Sequence, residues 1–436
     1  MMSPELIGVI VIGCLFLLLL LGVNIAVALA SIGTIGVMML TNANAGLDML
    51  SVLPYVTVSK FEFSCLPLFI LMGELAFTSG ITTKVFDSAF KWVGSFPGGM
   101  AMAVMIAAAG FGAVSGSTIV AAAAMTRVCW PELMKYKYDK GFSAGVLVSA
   151  GCLSIMIPPS IIVVFYGMLT QTPIGPTLIA CVIPGLITTI LYLAVIYIRA
   201  RINPSLAPRG YKASWKEKIS SLSGTWSMLI LVFLVTGGLY FGLFTATEAA
   251  AAGAFGALIL AALYKKLTWS VLAASLISTA RICAFIFLIM IGAALFSKVL
   301  ALSNLSTDVV EFVGNLKISR IYILLAMIGI YVVLGMLLDT ISMLAISLST
   351  VFPIITALGY DPVWFGVVII TMCELATVTP PVGLNVFAVK TMLGNEVEVW
   401  DIFKNSAPFY LAHFTLLLLL ILFPQICLWL PATIIK

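Results

Sequence analysis

The chain has 436 residues, of which 62% are hydrophobic and 9% charged, with a mean hydropathy of +1.20 and a formal net charge of +5. This lies far outside soluble globular usage and inside the transmembrane class, which excludes a soluble enzyme. The modest positive charge sits in loops and implies no nucleic acid, only an anionic membrane face.

Taken in chain order, the first apolar run, LIGVIVIGCLFLLLLLG (6–22), is long enough to cross a hydrocarbon core of about 30 Å as a helix. Ala28-Leu29-Ala30 resembles a signal cleavage site, but the segment lacks a basic start and carries Glu5, so it reads as a retained span. The last run, FYLAHFTLLLLLILFPQICLWL (409–430), is of the same kind, and no segment alternates polar and apolar residues as barrel strands do. The fold class is therefore an all-α polytopic membrane protein. The eight cysteines show neither C-x-x-C nor metal-ligand spacing and read as small buried hydrophobes.

Loop charge sets the orientation. Residues 199–218 hold Arg199, Arg201, Arg209, Lys212, Lys216 and Lys218 against one Glu217, so this loop is expected in the cytoplasm. Counting spans from it places 127–140, Lys265-Lys266 and 390–404 on the same side and both termini outside. Two segments, 98–133 and 318–355, then begin and end on one side each and are expected to be re-entrant hairpins entering from opposite faces. The predicted organisation is 1–97, N-terminal scaffold helices; 98–176, a first transport repeat with hairpin 98–133 and broken helix 142–170; and 177–317, scaffold helices with the basic loop. A second transport repeat follows at 318–406, with hairpin 318–355 and broken helix 361–391, and 407–436 is a C-terminal helix. Residues 41–60 are an external segment suited to docking or bracing.

The only Pro-Pro pairs, Pro158-Pro159 and Pro380-Pro381, are related by a shift of 380 − 158 = 222 residues. The same shift aligns Pro131 with Pro353 and Thr118-Ile119 with Thr340-Ile341. Three crossings lie between the halves, an odd number, so the two repeats have inverted topology, as in many secondary transporters with discontinuous helices. A proline pair unwinds a helix locally, which lipid tolerates only where the freed carbonyls line a polar cavity or meet protein groups. The half-helix after each gap offers amides to an anion.

The hairpin tips carry matching chemistry. The first has Ser115, Ser117 and Thr118 around Gly116, and the second has Gly335, Asp339, Thr340 and Ser342. Hydroxyls, carbonyls and one carboxylate suit a hard cation, Na+ being the natural candidate. The plainer reading, that these small residues let helices pack closely, is weighed against their repeat register. Ionisable residues inside apolar runs are Glu74, Glu248, Arg281, Asp339 and Glu374, and Asp339 stands out because it falls at a tip. Glu374 either tunes the second site or bonds a neighbouring helix; Glu74 and Glu248 read as anchors near span ends, and His413 as a packed residue.

Four stretches, GLFTATEAAAAGAFGAL (242–258), SGSTIVAAA (115–123), IPPSIIVV (157–164) and TPPVGLNVF (379–387), resemble the large membrane subunit of tripartite ATP-independent periplasmic (TRAP) transporters, and the similarity spans essentially the whole chain. The resemblance implies Na+-coupled uptake of an organic acid, of the C4-dicarboxylate or sialic acid class, across the bacterial inner membrane. It implies an elevator motion of hairpins and broken helices against the scaffold, as in the wider group of ion transporters with inverted repeats. Expected partners are a small membrane subunit, separate because the first span follows within three residues of Met1, and a periplasmic substrate-binding protein that delivers solute. At least two coupling Na+ ions are implied. By motif match the first Na+ site would use Ser115, Gly116, Ser117, Ser154 and Pro158, and the second Asp339, Thr340, Thr377, Thr379 and Pro380. The solute would meet Ser117, Thr118, Pro159, Ser160, Thr340, Pro381 and Gly383. Relatives outside that family carry Ser-Asn-Thr at both tips; here Ser-Gly-Ser and Leu-Asp-Thr replace it, and Asp339 would make the second site proton-sensitive.

The main alternative is a stand-alone Na+- or H+-coupled carboxylate carrier. A channel or proton-translocating subunit would need chains of titratable groups through the membrane, which one histidine and a few carboxylates do not supply. A membrane-embedded enzyme has still less support, with no H-E-x-x-H and no nucleophile beside a base.

Overall fold

The computed structural model describes residues 2–434 apart from 317, 337 and 382, with the backbone alone at 81 and 82. Met1 and Lys436, the termini assigned by loop charge, and Leu337 and Val382, within the second tip and second break, lie outside the described residues. Among these the regular structure is entirely helical. The first half contains α1 (Pro4–Leu20), α2 (Ile25–Leu40), α3 (Ala43–Val58), α4 (Cys65–Thr78), α5 (Ile81–Val93), α6 (Gly99–Ser115), α7 (Thr118–Lys135), α8 (Lys140–Met156), α9 (Ile161–Thr170), α10 (Ile174–Ala180) and α11 (Val182–Ile202). The second half has α12 (Trp215–Leu222), α13 (Trp226–Val232), a π turn leading into α14 (Gly238–Tyr240), α15 (Ala246–Leu263), α16 (Trp269–Leu302) and α17 (Leu305–Asn315). It ends with α18 (Arg320–Gly335), α19 (Thr340–Ala357), α20 (Pro362–Ala376), α21 (Leu384–Leu393), α22 (Val399–Leu422) and α23 (Gln425–Ala432).

Among the described residues six helices are long and apolar enough to cross a membrane, or up to eight if each of two bent pairs is one span. The limbs α6 and α18, of 17 and 16 residues, reach only about 24–26 Å at 1.5 Å per residue, short of a full crossing. The expected C-terminal helix 407–436 needs correction: α22 starts at Val399 and the chain breaks at Phe423-Pro424 before α23, because Pro424 supplies no amide to continue the ladder. The segment 41–60 is largely the exposed helix α3.

The 222-residue register extends beyond the hairpins. Helix α7 shifted by 222 is 340–357, the span of α19; α1 shifted begins at 226, where α13 begins; α2 maps onto 247–262 within α15; and α5 maps onto 303–315 around α17. Helices α3 and α4 map onto the single long helix α16, so one repeat breaks at 59–64 where the other is continuous. The halves interlock. Helix α2 packs on α16, where a Cβ on Gly33 would lie 2.8 Å from the Leu295 carbonyl carbon, and α15 packs on α4, where Gly253 faces Met72. Small residues set this close backbone approach, as is usual between membrane helices.

At the centre lie α8 and α20, buried on every side from Phe142 to Met156 and from Trp364 to Ala376, as befits helices apolar all round. They touch at repeat-equivalent positions: the Cys152 Sγ lies 3.7 Å from the Glu374 carbonyl oxygen, 222 residues away. Both the first hairpin (α6, α7) and α22 pack on α8.

Long-range contacts gather the basic loops at one end of the molecule. Lys84 sits 3.5 Å over the Tyr264 ring, the Gly210 amide donates to the Gly94 carbonyl at 2.9 Å, and Lys140 pairs with Glu396 at 3.3 Å. Arg199 donates to the Asn405 carbonyl and side chain at 3.0 and 2.8 Å, pinning α11 to α22 at that end. The opposite end is tied by Tyr166 donating to the Pro362 carbonyl at 2.7 Å and by the Tyr240 and Thr433 hydroxyls at 3.2 Å.

Candidate functional site

Each hairpin closes through a residue suited to its turn. Gly116 ends α6 at φ +63°, a conformation L side chains rarely adopt. A Cβ there would come within 2.9 Å of the Ile161 amide nitrogen and 3.1 Å of the Pro159 carbonyl oxygen, so the first tip rests on the break of its own repeat. In the second repeat Gly335 lies against Ala376, one residue before the second break begins.

Both Pro-Pro bonds are cis, and the helix axes of α8 and α9 bend by 45° across the first break. The freed backbone groups are not all open, as an oxygen-rich gap would have them. Thr377's carbonyl accepts from the Asn385 amide at 3.0 Å, and Val378's accepts from the Tyr410 hydroxyl at 2.6 Å. Ser160 caps α9 by accepting from the Val163 amide at 3.4 Å, and it is wholly buried. Each break thus has polar groups closed by protein partners, as burial of such groups requires.

The two tips share one cavity of about 280 Å³. Its wall includes Ser115, Gly116, Ser117 and Thr118 from the first tip, Asp339 and Thr340 from the second, and Thr377 from the second break. The remaining expected site residues, Ser154, Pro158, Pro159, Ser160, Thr379, Pro380, Pro381 and Gly383, do not line it. Ser154 donates to the Gly151 carbonyl at 2.7 Å and Thr379 to the Leu375 carbonyl at 2.7 Å, so both hydroxyls bond back to their own helices. Gly383 lies against the Phe403 ring.

Across from the tips, α4 contributes Glu74 and α16 contributes Ile282 and Ile286. Glu74 was read from sequence as a helix anchor, and it is one: its Oε1 accepts from the Ser278 hydroxyl at 2.9 Å, joining α4 to α16. It also lines the cavity, which sequence reasoning missed although an acid in an apolar run was a signal. Among the described residues the cavity therefore holds two carboxylates, Glu74 and Asp339, and no Lys, Arg or His. Glu248 anchors alone, closing a capping box with Thr245 at the start of α15.

Asp339 does double duty. Its carboxylate caps α19, accepting from the Ile341 and Ser342 amides at 3.1 and 3.3 Å and from the Ser342 hydroxyl. Asparagine caps as well as aspartate, whereas alanine does not. Asp339→Ala is therefore expected to cost about 0.5–2 kcal/mol of stability, while Asp339→Asn keeps the melting temperature of the wild type; equal melting of both variants would remove the cap from the account.

Glu374 bonds a neighbouring helix rather than reaching the tips. Its Oε2 lies 2.7 Å from His413 Nε2 on α22, and His413 Nδ1 lies 2.6 Å from the Tyr192 hydroxyl on α11, all three residues buried. In the first repeat its counterpart is Cys152, so this polar network exists on one side of the repeat axis only.

The described residues contain no group of three or more His, Cys, Asp or Glu side chains placed for a metal ion. A hard monovalent cation needs no such group, since hydroxyls, carbonyls and one carboxylate are the ligand types it takes. The tips bring residues with hydroxyls and one carboxylate to the shared cavity.

Comparison with known proteins shows the family of the chain. The family model described as tripartite ATP-independent periplasmic transporter, DctM component, matches residues 12–426. The C4-dicarboxylate TRAP transporter large permease protein DctM of Rhodobacter capsulatus is 31% identical over 97% of this chain and 98% of its own. The sialic acid TRAP transporter large permease protein SiaM of Vibrio cholerae is 27% identical over 86% of this chain and 87% of its own. Among solved structures, the YdaH transporter of Alcanivorax borkumensis shares the fold at a TM-score of 0.60 and 14% identity, over 90% of this chain and 89% of that one. With a family match over nearly its whole length and a full-length relative above 30% identity, the chain belongs to the DctM component family of tripartite ATP-independent periplasmic transporters, membrane permeases rather than enzymes.

Proposed function

We propose that this permease takes up an organic acid anion, of the C4-dicarboxylate or sialic acid class, in symport with Na+, through the cavity that the two hairpin tips share. The observation that carries the reading is the wall of that cavity: among the described residues it has two carboxylates, several hydroxyls and no base. Like charges about 4 Å apart repel by about 4 kcal/mol at an effective dielectric of 20. An anionic solute is thus disfavoured there until cations settle beside Asp339 and the tip hydroxyls. Bound Na+ then raises solute affinity, and by linkage bound solute raises Na+ affinity by the same factor, which is symport in thermodynamic terms.

In this proposal the hairpins and broken helices move as one body against α2, α4, α15 and α16, carrying the cavity between faces. The basic end faces the cytoplasm of a bacterium and both termini the periplasm, in keeping with the positive-inside rule. A small membrane subunit braces the scaffold and a periplasmic binding protein delivers the solute. Support comes from the family and from relatives named for C4-dicarboxylate and sialic acid.

The test is uptake of radiolabelled succinate and sialic acid into proteoliposomes holding this chain with its small subunit and binding protein. Uptake of either that needs both an inward Na+ gradient and the binding protein is expected. Uptake that ignores the gradient would contradict symport, and Na+-dependent uptake without binding protein would leave a stand-alone carrier.

A further inference from the structure

A second cavity, of about 330 Å³, lies along the same two walls. Helix α16 lines the first cavity through Ile282 and Ile286 and the second through Met290, Ala293 and Lys298; α19 lines the first through Thr340 and the second through Ala345 and Ser349. From Ile286 to Lys298 the helix rises about 18 Å at 1.5 Å per residue. The second cavity also reaches Gln171 at the end of α9, which places it toward the end of the molecule away from the basic loops.

Its charge is the reverse of the first. Lys60, from the link between α3 and α4, and Lys298 line it, and among the described residues no carboxylate does. Among the described residues neither lysine makes an ion pair. The Lys60 Nζ lies 6.0 Å from the Phe63 ring centre, at the outer limit of a cation–π contact, which leaves its charge in place. Thr57, Ser297 and Ser349 add hydroxyls to the wall. Both lysines are exposed, and two ammonium groups without ion pairs beside hydroxyls in one concave space form a receptor for a carboxylate through charge-assisted hydrogen bonds.

We propose that Lys60 and Lys298 form an entry site for a carboxylate anion, which concentrates solute at the face opposite the basic loops before it reaches the hairpin tips. The inference rests on the uptake reading and extends it. Base-lined entrance and acid-lined interior then act in sequence: the lysines attract the anion without help from Na+, and the tips hold it only with Na+.

Two measurements separate this proposal from the reading beneath it. In the reconstituted three-component system, Lys60→Gln/Lys298→Gln is expected to raise KM for the transported acid about tenfold, the combined loss of two solvent-screened charge contacts, with the maximal rate within about twofold. Lys60→Arg/Lys298→Arg should restore KM, and higher salt should narrow the gap between wild type and the glutamine variant. In the purified full chain, labelling of Lys60 and Lys298 by an amine-reactive reagent, read by mass spectrometry, should slow when succinate is present and not when chloride matches its ionic strength. Unchanged KM together with unprotected lysines would overturn the entry site and leave the uptake reading standing. Protected lysines in a protein whose uptake ignores Na+ would sink symport and keep the entry site.

Discussion

His413→Ala is expected to destabilise the purified protein by about 3–5 kcal/mol, the cost of removing one partner of a buried ionisable pair. The Glu374 Oε2 would lose its contact at 2.7 Å, and its Oε1 already has no hydrogen-bond partner among the described residues. The carboxyl would then stand unpartnered in the packed centre, between α8, α20 and α22. Removing both partners is a different matter, because apolar replacement of a buried pair is often near neutral. Glu374→Leu/His413→Leu should therefore melt closer to the wild type than His413→Ala does. Denaturation of the detergent-solubilised protein decides this; a single variant that melts with the wild type would show that the contact carries no stability.

The second large effect is expected at the first tip. Gly116→Ala should abolish uptake while leaving the protein folded. The left-handed backbone costs an L side chain about 1–2 kcal/mol, and the new methyl group would press on the backbone at Pro159 and Ile161, which cannot yield as a flexible side chain would. The tip must lift from the break, displacing the Ser115, Ser117 and Thr118 hydroxyls from the shared cavity. Gly22→Ala is the control: its φ is +80° but nothing lies within 4 Å of the added carbon, so it meets the strain alone. Uptake equal in the two variants would show that contact between tip and break does not matter.

The hairpins and breaks were legible in the sequence because their signals are local. Paired prolines, a glycine between serines and a 222-residue shift all survive without knowledge of the fold. The scaffold half of the duplication was not legible. Helices such as α2 and α15 are set by packing of alanine and glycine, which leaves no punctuating residue to align, and α16 runs unbroken where α3 and α4 part. Within the site, residue types at the tips were found, but several expected ligands were not brought to the cavity. Ser154 and Thr379 bond to their own helices and Ser160 caps α9, all outcomes of short-range competition for backbone groups. Glu74 and the Glu374–His413 contact depend on which helices meet, which hydropathy does not encode. The pairing of Lys60 with Lys298, 238 residues apart in the chain, is of the same kind.

The most direct test of the shared cavity is the Na+ dependence of uptake, measured side by side in proteoliposomes of wild type, Ser117→Ala and Asp339→Asn. One substitution lies in each tip, and both side chains line one space. The account predicts that both variants fold and need several-fold more Na+ for half-maximal uptake, on the order of 1 kcal/mol for each lost ligand. Wild-type Na+ activation curves in both variants, with uptake intact, would contradict it.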